Sequence, residues 1–185
     1  MKTLQLTLFA ALLIVMGACG SSKSLGKKVN EPFSSSKYES NKRYWRAVGK
    51  GASSNDNVAK GKADIQAKKE LAQQVQTRMK VVTDQYFSDT ETLNSEELND
   101  KFQSLIREVT NTQIADLRKI GEEKYFNEET GDYTVFLAYE IHKKKMLRFM
   151  KKYARTNAKL DKVMLKSIED MIDKELEELE RIDPE

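Results

Sequence analysis

Hydrophobic residues recur at regular spacings in the first half of the chain, and these spacings predict a strand followed by a helix. Residues 44–51 form an aromatic and β-branched run that closes in Gly49 and Gly51, as expected of a strand that ends in a sharp turn. Beyond N-cap candidates at residues 53–56, apolar residues recur every fourth position, which is typical of an amphipathic helix: Ala59, Ala63, Ala67, Leu71, Val75 and Met79. Because the small residues come first, the first half of this helix is expected to lie close to a sheet.

A second amphipathic helix is expected after a connection at residues 81–92. Asn94 and Glu97 lie three residues apart, which is the spacing of a capping box at a helix N-terminus. The residues that follow carry one apolar stripe at helical spacing: Leu98, Phe102, Leu105, Ile106 and Val109. The two helices are expected to pack on one face of a sheet.

Beyond the second helix the apolar spacing falls to two, which predicts a β-hairpin. Its strands are residues 115–126 and 133–142, and the polar loop between them contains a glycine that can adopt a positive φ. The odd-numbered residues of the second strand are expected to face the helices. The opposite face, which carries Phe136, is expected to be only partly covered and therefore to offer a place for a partner chain.

After the hairpin, helical spacing returns and continues to the last residues. Residues 146–185 are predicted to form a long charged helix, and the whole helical region would run roughly 60 Å if unbroken, so part of it must project or fold back. The predicted fold class is α+β. It consists of a small antiparallel sheet, made of one strand plus a hairpin, packed on two helices and followed by a long C-terminal helix.

Charge is segregated along this C-terminal region. Residues 143–166 carry ten Lys and Arg and one Asp, a net charge of +9, whereas residues 167–185 carry nine Asp and Glu against one Lys and one Arg, a net charge of −7. This pattern suits antiparallel or staggered pairing with a second copy, while a solvated face and an anionic surface, such as lipid head groups or cell-wall glycan, are alternatives. The candidate residues for assembly or for an anionic surface are Lys143, Lys144, Lys145, Arg148, Lys151, Lys152 and Arg155.

The amino terminus predicts export and lipidation. A basic residue and the apolar residues 4–16 have the pattern of a secretory signal, and the apolar stretch is shorter than the about 20 residues that span a bilayer. Gly17 and Ala18 are small residues that a processing enzyme accommodates, and Cys19 follows directly. This run resembles the lipobox of bacterial lipoproteins. The resemblance implies cleavage between Ala18 and Cys19, with a covalent diacylglycerol and an N-acyl chain on Cys19.

Composition divides the chain into four parts. Residues 1–18 are the predicted signal peptide, and residues 19–42, rich in Ser, Gly, Lys and Asn, are the expected lipidated cysteine and flexible tether. Residues 43–145 are the predicted α+β domain, and residues 146–185 are the charged helix. The residue after the cysteine is Gly20, not the aspartate of an inner-membrane retention signal. The expected location is therefore the outer membrane, with the domain facing the periplasm and two or three acyl chains as a lasting anchor.

Overall composition removes several classes of function. The 185 residues include 32 Lys and Arg against 29 Asp and Glu, a net charge of only +3, so nucleic acid is not an expected partner. The single histidine, His142, lies at a strand end, and with one cysteine in the chain no metal site is expected. No serine lies in a nucleophile elbow, and neighbouring carboxylates in a strand point to opposite faces. We therefore expect no enzymatic activity, no cofactor and no small-molecule substrate.

Two groups of residues resemble a known family. Trp45, Gly49 and Gly51 resemble the opening of the Lpp-twenty family of small bacterial lipoproteins, typified by a membrane-associated twenty-kilodalton antigen and by flagellar outer-membrane disk lipoproteins. The helix that follows matches the same opening at Ala59, Ala63, Ala67, Leu71 and Ala72. Residues 114–117 and 130–139 are similar to the closing hairpin of that family. The resemblance covers the predicted domain and implies an α+β architecture, outer-membrane attachment and, in some members, assembly into rings.

These features together predict an outer-membrane lipoprotein that acts in the periplasm as a structural or assembly module and associates with itself. The alternative is a monomeric binding module for an envelope ligand, which would be a lipid head group, cell-wall glycan or a partner protein. The expected partners are the membrane, through the lipid anchor, and either a second copy or an envelope protein.

Overall fold

The computed structural model describes residues 29–90, 95–112 and 114–184, and its compact folded unit begins at Glu31. The predicted α+β class, with a three-stranded antiparallel sheet and a helical C-terminal region, is confirmed. The predicted signal peptide, Cys19 and Asn94 lie outside the described residues. The elements in chain order are β1 (Tyr44–Ser53), α1 (Asp56–Asp89), α2 (Ser95–Thr112), β2 (Arg118–Asn127), β3 (Asp132–His142), α3 (Lys143–Thr156) and α4 (Lys162–Ile182).

The sheet has the strand order β1-β3-β2, so the last strand in sequence lies at its centre. β1 pairs antiparallel with β3 along its whole length, with Tyr44 opposite His142. β2 and β3 form the predicted hairpin, which has an irregular register between Lys119 and Gly121. Gly131 in the hairpin loop has a φ of 70°, the conformation for which the sequence supplies a glycine.

Gly49 and Gly51 allow α1 to lie directly on β1. A Cβ atom on Gly49 would lie 1.9 Å from the carbonyl oxygen of Ala63, and one on Gly51 would lie 2.1 Å from that of Ala59. The close approach of the first half of α1 to the sheet is therefore confirmed. The predicted turn at these glycines is wrong, because β1 continues to Ser53. The glycines lie inside the strand, where the helix backbone leaves no room for a side chain.

Side chains of α1 and of the segment before β1 bond to the backbone along the outer edge of β1. The N–H of Arg46 donates to Ser40 Oγ at 2.8 Å, and the carbonyl of Arg46 accepts from Gln74 Nε2 at 2.9 Å. Two further bonds of this kind join Lys50 N–H to Gln66 Oε1 at 3.1 Å and Lys62 Nζ to the carbonyl of Ala52 at 2.9 Å. These bonds occupy groups that an additional strand would need.

The main core is formed by the second half of α1 together with α2, α3 and α4. The predicted stripe of α2 is buried throughout, which confirms its orientation. Fully buried side chains come from all four helices: Leu71, Val75, Met79, Phe102, Leu105, Ile106, Met146, Leu147, Met150, Ile168, Met171 and Ile172. The C-terminal helices therefore belong to the same core as the predicted domain.

α1 is longer than the sequence predicts. The sequence predicted a connection at residues 81–92, and this is wrong for residues 81–89, because the helix continues to Asp89. Val82 and Thr83 are buried, and the Thr83 hydroxyl donates to the carbonyl of Met79 at 2.8 Å within the helix. Packing against the core therefore keeps a β-branched stretch helical that would be a weak helix former alone.

The sheet face opposite α1 is partly covered by residues that precede β1. Phe136 on this face is 6% exposed. The ring of Phe33 lies so close to the sheet that a Cβ atom on Gly121 would be 2.6 Å from it, and Glu31 forms an ion pair with Lys50 at 2.6 Å. Tyr125, which lies beside Phe136 on the same face, is 49% exposed, so the face is partly covered as expected and its use by a partner chain stays a prediction. The residues expected to end the flexible tether are instead packed on the sheet.

The C-terminal region folds back on itself. Residues 157–161 separate α3 from α4, and the two helices pack against each other. Asp161 is the N-cap of α4, where its side chain accepts from the N–H groups of Val163 and Met164, each at 2.8 Å. The sequence indicated that part of this region must project or fold back, and the structure shows that it folds back.

Candidate functional site

The basic face of α3 lies against acidic residues of α4 in the same chain. Three ion pairs join the helices: Lys151 with Asp173 at 2.6 Å, Arg155 with Glu169 at 2.5 Å and Arg148 with Glu180 at 3.5 Å. Their order along the two helices shows that α3 and α4 are antiparallel. The oppositely charged halves, which the sequence suggested would pair between copies, therefore meet within one chain.

Three more of the basic candidates have unrelated surroundings. Lys144 is buried and donates to the backbone carbonyl of Asp183 at 2.8 Å. Lys145 is exposed and forms an ion pair with Asp116 at 3.1 Å. Lys152 is exposed and has no hydrogen bond or ion pair to any described residue. The seven candidates thus do not form one continuous basic surface.

Lys143, the remaining candidate, lies in a cleft. Its ammonium is 5.5 Å from the centroid of the Trp45 ring, and no described residue offers it a hydrogen bond or an ion pair. Lys143 and Arg78 both line two surface openings, which have volumes of about 480 and 340 Å³. We refer to these two openings together as the Lys143 cleft. Its uncharged polar lining includes Ser40, Gln73, Gln74 and Thr77.

Arg78 is held by two carboxylates of α4. Its Nε and Nη2 atoms donate to the two oxygens of Glu175 at 2.8 and 2.6 Å, and Nη2 also donates to Glu178 at 3.0 Å. The side chain of Glu175 is only 3% exposed, so the two hydrogen bonds from Arg78 compensate the charge of a buried carboxylate. The hydrogen bonds that Arg78 donates to Glu175 raise the pKa of Arg78. The charge of Arg78 is thus engaged within the chain.

Lys143 has a different electrostatic setting from Arg78. Burial lowers the pKa of Lys143, and the neighbouring Arg78 guanidinium lowers it further, while Glu175 acts in the opposite direction. An ammonium that has lost part of its hydration without gaining an oxygen partner is stabilised by an anion that reaches it. The larger opening therefore combines one ammonium without an oxygen partner, an indole ring and uncharged hydrogen-bonding groups, and Lys42 lines the smaller opening.

His142 is the last residue of β3 and directly precedes Lys143, and it makes few polar contacts. Its ring packs edge-on against Tyr44, with centroids 5.1 Å apart. Its Nδ1 atom and the Oδ2 atom of Asp116 are buried without a hydrogen-bond partner, and burial lowers the pKa of His142. In the described ranges, no group of three His, Cys, Asp or Glu residues could hold a metal ion.

The pairing of Arg78 with Glu175 was missed in the sequence, although a signal for it is present. Glu175 occupies the same helical register as Met171 and Leu179, which are core residues of α4. A carboxylate at a core position requires a buried partner. The sequence did not show which cation supplies it, because Arg78 is 97 residues away.

Comparison with known proteins gives no match: no family model, no curated protein and no solved structure is similar to this chain. Among the described helices, none is both long enough and apolar enough to cross a membrane. The functional argument therefore rests on the sequence of the amino terminus and on the geometry of the Lys143 cleft.

Proposed function

We propose that the protein is an outer-membrane lipoprotein, anchored through acyl chains on Cys19 and facing the periplasm, whose folded unit is a binding module for an envelope component. The observation that carries the anchor is the lipobox-like run, in which Gly17 and Ala18 join an apolar stretch to the only cysteine.

A binding role is favoured over self-association through charge. The basic residues of α3 and the acidic residues of α4, which would have joined two copies, are engaged with each other in one chain. The Lys143 cleft supports the binding role instead, because its ammonium is partly desolvated and has no oxygen partner among the described residues.

Replacing Cys19 by serine is expected to abolish lipidation. Because this is the only cysteine, the variant should incorporate no radiolabelled palmitate, keep its uncleaved signal peptide and disappear from the outer-membrane fraction. The measurements are metabolic labelling, gel mobility and membrane fractionation. A Ser21→Ala variant, altered two residues further on, should behave like the unaltered protein. Equal labelling of the Cys19→Ser variant would contradict the anchor.

Self-assembly is retained as a second candidate because β2 is an edge strand with exposed aromatic residues. Tyr125 and Phe126 near its end are 49% and 53% exposed. An edge strand of this kind can add a strand from another chain. If the protein assembles, β2 is therefore a more suitable contact than the charged helices.

The mass of residues 20–185 in solution, measured by light scattering, distinguishes these possibilities. We expect a single-chain mass that does not change between low and moderate salt, because the charge pairs of α3 and α4 lie within the chain. An oligomer that dissociates as salt rises would contradict this and restore pairing between copies. An oligomer that resists salt but is lost in the Tyr125→Ser, Phe126→Ser variant would support assembly through β2.

A further inference from the structure

We propose that the Lys143 cleft binds the free carboxylate of a short amide-containing ligand, such as a peptide C-terminus, with Lys143 Nζ as the group that meets the carboxylate. This proposal rests on the binding role proposed above and does not depend on the lipid anchor.

The first argument is the unmet charge of Lys143. The other cation of the larger opening, Arg78, already donates to Glu175 and Glu178 at 2.6 to 3.0 Å. The Lys143 ammonium lies over the face of the Trp45 ring, at 5.5 Å, and Glu175 stabilises its charge without forming a hydrogen bond to it. Of the two cations that line the larger opening, Lys143 is therefore the one with hydrogen bonds left to donate to a ligand, while Lys42 lines only the smaller opening.

The second argument is the lining of the cleft on α1. Gln73 and Thr77 lie four residues apart, on the same face of the helix, and both line the larger opening together with Lys143. Neither side chain has a hydrogen bond to a described residue. A glutamine amide both donates and accepts, and so does a hydroxyl, which matches the N–H and C=O groups of a peptide. The lining thus suits the amide part of such a ligand.

The third argument concerns the charge of the ligand. Glu70 lines the larger opening and Glu178 lines the smaller one, so a dianion would meet repulsion from carboxylates on both sides. In the larger opening, the one available ammonium matches one negative charge. A carboxylate therefore fits the cleft better than a phosphate group, which would need more cations.

Trp45 provides a direct measurement, because it is the only tryptophan in the chain and lies beneath Lys143. The full-length protein, kept in solution by a non-ionic detergent, would be titrated with N-acetyl-alanyl-alanine and with the carboxamide of the same dipeptide, at constant ionic strength. We expect a saturable change in Trp45 fluorescence with the free acid and none with the carboxamide. Lys143→Gln should raise the dissociation constant at least about tenfold, since it removes a charge-assisted hydrogen bond.

Lys152→Gln is the matched control, because Lys152 is an exposed residue of the same helix and its loss should change the dissociation constant by less than about twofold. Equal responses to the acid and the carboxamide, an absent response, or unchanged binding by Lys143→Gln would each overturn the proposal. Tighter binding of inorganic phosphate than of the dipeptide would overturn the choice of a carboxylate.

If Lys143→Gln does not fold, as judged by circular dichroism, Thr77→Val carries the test. This variant removes one hydroxyl from an exposed position of the lining and is expected to weaken binding about threefold or more. Unchanged binding by a folded Thr77→Val variant would count against the cleft. The titration does not require an acylated Cys19. A failed titration would therefore not contradict the lipid anchor, and absent palmitate labelling would not contradict this binding site.

Discussion

Gly49→Ala is expected to lower the free energy of unfolding by about 3 kcal/mol or more. The added Cβ atom would lie 1.9 Å from the carbonyl oxygen of Ala63 and 2.6 Å from the backbone nitrogen of Ala67. Both atoms belong to the backbone of α1, so no side-chain rotation relieves the overlap. The helix must move away from β1, and the packing of its small residues against the strand is lost. Denaturant unfolding followed by circular dichroism measures the change.

Gly61→Ala is the control for this prediction. Gly61 lies inside α1, and a Cβ atom there would meet nothing within 4 Å. The same substitution is therefore expected to stabilise the protein by about 0.5–1 kcal/mol, through the higher helix propensity of alanine. If Gly49→Ala were as stable as the unaltered protein, the close contact of α1 with β1 would be wrong.

Arg78→Ala is expected to destabilise the protein by about 2–4 kcal/mol. The carboxylate of Glu175 is 3% exposed, and Arg78 makes two hydrogen bonds to it, at 2.6 and 2.8 Å. Removing the guanidinium leaves a buried charge whose hydration is not restored. The measurement is again denaturant unfolding at neutral pH.

Arg148→Ala provides the comparison for Arg78→Ala. Arg148 and its partner Glu180 are each 54% exposed and lie 3.5 Å apart, so its loss should change the stability by less than about 0.5 kcal/mol. The double variant Arg78→Met, Glu175→Leu should regain most of the loss, because it removes both charges together. Equal effects of Arg78→Ala and Arg148→Ala would show that Glu175 is not a buried charge.

Apolar spacing was sufficient to predict α2 and the first half of α1, because one face of each helix is buried. The hairpin was predicted from its alternating spacing and its polar loop, although β3 is buried on both faces and no residue of β2 is buried. Apolar spacing was insufficient at the end of α1, where burial of Val82 depends on helices that are distant in sequence. It also missed the break between α3 and α4, since the apolar stripe continues on both sides. The polar residues around Asn157 and Asp161 end one helix and cap the next.

The segregation of charge in the C-terminal region was visible in the sequence, but the sequence did not show which segment each charged half contacts. Opposite charges attract equally well within a chain and between chains, and the short connection at residues 157–161 decides the matter by allowing α4 to turn back along α3. Charged residues at buried positions indicate tertiary contacts more directly than the exposed runs of charged residues do. Lys144 and Glu175 both occupy core positions of their helices, and each has a partner from a distant part of the fold.

The strand order has a consequence for the way the chain acquires its structure. β1 and β2 are both bonded to β3 and not to each other, so neither has a neighbour until residues 132–142 are available. Arg43, just before β1, also forms an ion pair at 2.6 Å with Asp183, which follows α4 and is 140 residues away in the sequence. Contacts between residues so distant in sequence form late, after loop-closure entropy has been lost. A chain emerging from its amino terminus can therefore form helices but no complete sheet until its last third has appeared.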